Sequence, residues 1–235
     1  MAGQLKIVTV SAGLSKPSST RLLADRLTEA AGRELAAADR KADITVVELR
    51  DLAVDIANHL VTGFPAPALR DALAAVAGAD GLIVVTPVFA ASYSGLFKSF
   101  FDLVEPDALS GTPVLLAATG GTARHSLVVE HALRPLFSYL HALTLPTAVF
   151  AATDDWGTGA DRHAGGLPAR IDRAGGELAR LLGGTSTAAR TPEPASSGQA
   201  GHEGRETGER DGIGIGIDEV VPFEQLLANV SANGR

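Results

Sequence analysis

Thr86-Pro-Val-Phe-Ala-Ala-Ser-Tyr-Ser-Gly-Leu-Phe-Lys-Ser-Phe-Phe-Asp102 is the stretch that decides how the chain is read. It follows Leu82-Ile83-Val84-Val85, an unbroken apolar run that reads as a strand buried on both faces. Pro87 is expected to end that strand, since its ring fixes φ and it has no N–H for a ladder. A loop of small residues and two aromatics follows, and Ser94-Gly95 then opens an apolar helix from Leu96 to Val104. In an open α/β sheet, ligands sit outside the carboxyl ends of the strands, where such turns lie. The loop suits a flat heteroaromatic ligand, and its competing reading is a connection whose aromatics only pack.

The same alternation extends outward in both directions. Leu5 to Val10 reads as the first strand, and Thr20 to Ala38 as a helix with Leu23, Leu27, Ala31 and Leu35 on one stripe. Ile44 to Leu49 is a second strand, followed by an irregular connection through His59 to Pro67 and a short helix from Leu69 to Ala77. Pro113 to Ala118, a helix from Ser126 to Leu140, a strand from Thr147 to Phe150 and a helix from Leu167 to Leu182 complete the series. Strands alternating with helices imply a parallel α/β sheet with right-handed crossovers, and five of them favour the order 2-1-3-4-5.

After Leu182 the composition changes. Gly183 to Gly212 is rich in Gly, Thr, Ser, Pro, Glu and Arg, and buries too little to offset its ordering entropy, so it reads as a disordered linker. Residues 213–235 regain apolar character, with Phe223, Leu226, Leu227 and Val230 spaced along one face of a short helix. The expected organisation is a domain over 1–182, a linker over 183–212 and a tail over 213–235. The 235 residues, 46% hydrophobic, are ample for one core. No run approaches the roughly 18 apolar residues that cross a bilayer. Without cysteines there are no thiolate sites or disulfides, and a net charge of −7 argues against a nucleic-acid or membrane surface. The chain reads as soluble and cytoplasmic.

Three loops carry the chemistry. Ser11-Ala-Gly-Leu-Ser-Lys-Pro-Ser-Ser-Thr20 sets hydroxyls, a glycine and Lys16 before a helix N-terminus, where free amides and the helix dipole favour phosphate. It is neither a Walker loop nor Gly-x-Gly-x-x-Gly. Simple capping by Ser18 or Ser19 competes with this reading, but the whole cluster favours phosphate. The loop from Pro87 to Ser94 is the second. The third is Thr119-Gly-Gly-Thr122, with Arg124 and His125 behind it, where paired glycines admit a close ligand. Pro135, inside the helix from Ser126, cannot bond the His131 carbonyl, so that helix is expected to kink or widen. Lys98 and Asp102 stand at ion-pair spacing. There is no Gly-x-Ser-x-Gly elbow and no metal-binding histidine spacing, which leaves neither a protein nucleophile nor a metal. Such a site positions a cofactor that carries the chemistry, with no catalytic side chain of its own.

Ser11 to Arg21, Thr86 to Lys98, Ala118 to His125 and His131-Ala-Leu-Arg-Pro-Leu-Phe137 together resemble the flavodoxin-like NAD(P)H-dependent FMN reductases, over about residues 5 to 182. The resemblance is nearest to reductases that supply flavin-dependent monooxygenases of luciferase-like or alkanesulfonate type. Val220 to Leu227 is similar to the ending of an actinobacterial-type branch. The resemblance implies a flavodoxin-like three-layer sandwich in which Ser11, Ser18, Ser19 and Thr20 hold the FMN phosphate. Pro87, Val88, Phe89 and Ser92 would line the isoalloxazine, with Thr119, Gly120, Gly121 and Thr122 from the other side. His131 falls where relatives carry the insertion that makes a π-helix at a tetramer interface. The long linker and Phe89, where tyrosine is common, depart from the pattern.

The implied activity is hydride transfer from NADPH or NADH to FMN, with FMNH2 passed to a monooxygenase, in a homodimer or homotetramer. Lys16, Arg21 and Arg124 are candidates for a 2′-phosphate or are merely solvated. A reductase that retains FMN and acts on quinones, azo dyes or chromate, and a non-catalytic flavodoxin-like carrier, stand as alternatives.

Overall fold

The computed structural model describes residues 4–156 and 166–184. The expected linker contributes Gly183 and Gly184 to the last helix, and its remainder and the tail lie outside the described residues. Five parallel positions make the sheet. They are β1 (Leu5–Ser11), β2 (Ala42–Glu48), β3 (Gly81–Phe89), β5 (Pro113–Gly120) and a divided edge of β6 (Leu143–Thr144) and β7 (Val149–Ala152). The order is β2-β1-β3-β5, with β6 and β7 both on β5, so by position it is the expected 2-1-3-4-5. A two-residue strand, β4 (Ser92–Tyr93), turns back antiparallel on β3.

Alternation along each strand divides the core in two. Leu5, Ile7, Ile83, Val85, Leu115 and Ala117 face α1 (Ser19–Ala37) and α6 (Leu167–Gly184). Val8, Val10, Leu82, Val84, Val114 and Leu116 face the other layer. That layer holds α2 (Ala53–Thr62), α3 (Pro67–Ala77), α4 (Gly95–Phe101) and α5 (Arg134–Tyr139). The central run Leu82 to Val85 is fully buried, as a two-faced strand requires. In the second layer Phe97, Phe101 and Phe137 stack as an aromatic cluster, with centroids 4.7 and 4.9 Å apart.

Several boundaries differ from the sequence reading. Pro87 does not end β3. Val85 accepts the Ala12 amide at 2.9 Å, so alternate residues 85 and 87 turn their backbone towards β1, which has finished at Ser11. The N–H that proline lacks falls where no strand needs it. The supposed irregular connection contains α2, where Ile56 is the buried residue and the outward face is largely apolar. The fifth strand, expected over Thr147 to Phe150, lies instead at Val149–Ala152, and a separate two-residue piece, Leu143–Thr144, precedes Pro146. Leu145 donates to the Val114 carbonyl at 3.0 Å, then the ladder breaks and resumes at Val149. In the gap Arg134 donates to the Leu145 carbonyl at 2.8 Å, and Glu177 accepts the Thr147 amide at 3.0 Å.

The helix expected from Ser126 to Leu140 starts with a 3₁₀ turn, Ala123–His125, widens to a π turn over Val129–Leu133 and becomes α-helical only at Arg134. The Arg134 amide bonds the Val129 carbonyl, five residues back, ahead of Pro135. Arg134 also grips Glu130 with two bonds, at 2.6 and 2.9 Å. The Lys98–Asp102 ion pair forms.

Two substitutions on adjacent glycines of α6 separate packing from propensity. A Cβ at Gly175 would meet Ala30 Cβ and the Ala31 amide nitrogen at 2.8 Å, whereas at Gly176 the nearest atoms, of Glu34, are 3.9 Å away. Gly175→Ala is expected to lower unfolding free energy by about 1–3 kcal/mol through overpacking. Gly176→Ala is expected to raise it by up to about 1 kcal/mol through helix propensity, and urea denaturation reads both. The hydrogen bond from Arg134, helped by its charge, holds the Glu130 carboxyl below its ordinary pKa of 4.5. A carboxyl depressed in the folded state stabilises above its unfolded pKa and loses that contribution as pH falls through the folded value. The Tm advantage of the unaltered chain over Glu130→Gln should therefore hold at neutral pH and shrink as the pH drops below 4.5.

Candidate functional site

The loops after β1, β3 and β5 leave neighbouring strands at the same edge of the sheet. The chain goes from β1 to the α1 face and from β3 to the α4 face, so a crevice opens between them. All three loops singled out in the sequence therefore converge on one place.

The first turn is built for an anion. Ser18 caps α1, its hydroxyl accepting the Arg21 amide at 3.2 Å, and the helix has no acidic residue in its first turn. Gly13 is buried, and a Cβ there would lie 2.1 Å from Ser18 Oγ, so any side chain at this position must push the capping hydroxyl aside. Between the Ala12 amide, bound to Val85, and the Arg21 amide, bound to Ser18, the backbone N–H groups meet no acceptor among the described residues. Ser11 is buried at the end of β1, and its hydroxyl has no hydrogen-bond partner among the described residues. A buried hydroxyl left unbonded is unfavourable by roughly 1–3 kcal/mol, and an anion in the turn would supply an acceptor. Ser18 is half-buried and Ser19 exposed.

Thr20, expected at the phosphate, and Thr119, expected at the ring, are bonded to each other. Their hydroxyl oxygens lie 2.7 Å apart and both residues are buried. They tie the start of α1 to the end of β5 and so hold two of the three loops in register.

The second loop is a hairpin. Val88 pairs with Tyr93 and Phe89 with Ser92 around Ala90 and Ala91, whose φ angles are +46° and +66°. Two residues with positive φ are what a tight primed turn demands, and alanine adopts them at a cost of roughly 1–2 kcal/mol each. The hairpin is fastened from below by Thr86, which the sequence reading missed. Its buried hydroxyl accepts the Ser94 amide at 3.0 Å, and Ser94 caps α4 by accepting the Phe97 amide at 3.3 Å. The available signal was a threonine directly before a proline that follows the buried run Leu82 to Val85. Pro87, Val88 and Ser92 are half-buried, while Phe89 keeps 48% of its surface open.

The third loop begins later than expected, because Thr119 and Gly120 belong to β5. A Cβ at Gly120 would come within 2.8 Å of the Phe150 ring. Gly121 has open space around it, and Thr122, Arg124 and His125 are exposed. No cluster able to hold a metal occurs among the described residues.

A sequence model described as NADPH-dependent FMN reductase matches residues 5–157. The chain belongs to that family. It is 41% identical over 189 residues to the Pseudomonas aeruginosa protein named FMN reductase (NADPH), covering 79% of this chain and 97% of that one. It is 46% identical over 152 residues to the Pseudomonas putida NADH-dependent FMN reductase SfnE, covering 65% and 79%. Among solved structures, an oxidoreductase from Corynebacterium diphtheriae superposes with a TM-score of 0.72 at 46% identity, covering 76% of this chain and 97% of that one. A WrbA-like flavodoxin from Agrobacterium tumefaciens, TM-score 0.53 at 16% identity over 77% and 98% of the two chains, shares the fold.

Gly13→Ala should displace the Ser18 hydroxyl from its capping position and lower stability by about 0.5–2 kcal/mol. Its FMN affinity should fall by at least about tenfold, read by quenching of flavin fluorescence.

Proposed function

We propose that this chain is an NAD(P)H-dependent FMN reductase that treats FMN as a substrate and passes reduced flavin to a partner monooxygenase. The observation that carries the reading is the anion-accepting turn after β1, set beside the aromatic hairpin after β3 on the neighbouring strand. Family membership and the matched residues, which span all three loops, support it. FMN supplies the hydride-accepting ring, and everything else is positioning by the protein.

Ser11, Ser18, Ser19, the amides of the turn and the head of α1 hold the phosphate. Thr20 acts through its bond to Thr119, keeping the turn and the third loop together. Pro87, Val88, Phe89 and Ser92 present a fixed surface for the flat ring, since the hairpin beneath is anchored at Thr86. Gly120 and Gly121 let backbone approach the ring from the β5 side, and Thr122 lies at the rim. Stacking the nicotinamide over the ring places the donor carbon within reach and removes water, the main sources of rate in a site without acid or base.

The crevice is open, with Phe89 half exposed and Gly121 to His125 at the surface, which suits a flavin that leaves after each turnover. Arg21 is engaged by Asp25 and Glu48, so Lys16 and Arg124, both exposed, are the better candidates to meet a 2′-phosphate. Release to a luciferase-like or alkanesulfonate-type monooxygenase rests on the resemblance of the motifs and of Val220 to Leu227. Assembly into a homodimer or homotetramer is part of the proposal. Val54, Val61 and Phe64 project from α2 and its C-terminal end at 73, 87 and 81% exposure, a surface that association would cover. A cytoplasmic location fits the absence of cysteine and of any described helix long and apolar enough to cross a membrane.

The test is oxidation of NADPH and of NADH by the purified chain, with and without free FMN. Oxidation that rises and saturates with added FMN is expected. A chain that binds FMN but oxidises neither nucleotide would overturn the reductase reading in favour of a carrier.

A further inference from the structure

Beside the phosphate turn lies a charge cluster. Glu48 is the last residue of β2 and pairs across the sheet with Ser11, where the turn begins. Its carboxylate is shared between two arginines. One oxygen accepts from Arg21, and the other lies 2.8 Å from Arg50. Arg21 stands in the first turn of α1 and also binds Asp25 at 2.7 Å. That bond, with the negative charge of Glu48, holds the Arg21 guanidinium above its ordinary pKa against the effect of burial. Arg50 reaches the turn itself, donating to the Ser15 carbonyl at 2.9 Å, with Asp51 3.5 Å from its Nε. The Arg50 and Glu48 side chains keep only 17 and 20% of their surface. This pair is therefore not one of the exposed ion pairs that contribute little.

The direction of one peptide explains what this cluster does. An anion-binding turn must aim amides at the anion and keep carbonyls away from it. In a trans peptide the C=O and the following N–H point in opposite directions. The Ser15 carbonyl, fixed on Arg50, therefore turns the Lys16 N–H away from Arg50, and that amide has no acceptor among the described residues. Released from Arg50, the peptide is free to rotate and present its oxygen instead. Glu48 keeps Arg50 in place, and without its charge the two guanidiniums it bridges would repel each other.

We propose that Glu48 is a positioning residue for FMN: by holding Arg50 on the Ser15 carbonyl and Arg21 at the head of α1, it fixes the turn that receives the 5′-phosphate. The inference rests on the phosphate reading of Ser11 to Thr20.

Riboflavin, which is FMN without the phosphate, separates this role from general structural support. The full-length chain, Glu48→Gln and Arg50→Met are titrated with both flavins by fluorescence quenching, and folding is checked by circular dichroism. The unaltered chain is expected to prefer FMN. Both variants are expected to lose about tenfold in FMN affinity while riboflavin affinity changes less than about twofold. Equal weakening of both flavins, or no weakening of either, would overturn the positioning role while the unaltered chain still prefers FMN. Equal binding of FMN and riboflavin by the unaltered chain would overturn the phosphate reading itself. Arg50→Met leaves the Glu48–Arg21 contact in place, so it tests the link to Ser15 even if Glu48→Gln fails to fold.

Discussion

The adjacency of β1 and β3 is the constraint on which the molecule depends. Two parallel neighbours whose following helices pass to opposite faces cannot close the gap above their carboxyl ends. Here α1 leaves β1 for one layer and α4 leaves β3 for the other. The crevice is thus a product of chain direction, formed before any side chain is chosen for it. Residues around it inherit an opening with a helix N-terminus on one side and a hairpin on the other.

Hydroxyls do much of the work of holding that opening in shape. Thr20 and Thr119 bridge two loops, and Thr86 ties the hairpin to the cap of α4. Each is buried and bonded, so each is costly to remove and specific in geometry. Ser11 is the member of this set without a partner among the described residues. The contrast distinguishes hydroxyls that build the rim from one that remains available to a ligand.

The layered sheet was legible because apolar runs and turn residues repeat along the chain, and because Leu82 to Val85 reads as buried on both faces. The candidate loops were legible for the same reason: they fall where runs end. Less legible was anything set by pairing between distant segments. That Thr119 faces Thr20 follows from sheet order and helix placement together, and Glu48 meets the turn only through its register with Ser11. Pro87 misled because a missing donor matters only where a neighbour expects it, and β1 stops too soon to do so. Pro135, by contrast, disturbed its helix in the predicted way, with the widened turn lying just before it. The apolar outward face of α2 concealed a helix, because outward-facing Val54, Leu60 and Val61 do not make an amphipathic stripe.

The divided edge of the sheet also governs how the protein behaves towards other chains. An edge strand offers a row of unsatisfied donors and acceptors to any extended segment it meets. Here the β5 side ends in pieces of two and four residues, separated by Pro146, with backbone groups in the gap already held by Arg134 and Glu177. No continuous ladder remains on that side for a foreign strand to extend. The same break therefore guards this side against strand addition, whereas the opposite edge is the unbroken seven-residue β2, with Ile44 and Val46 partly exposed.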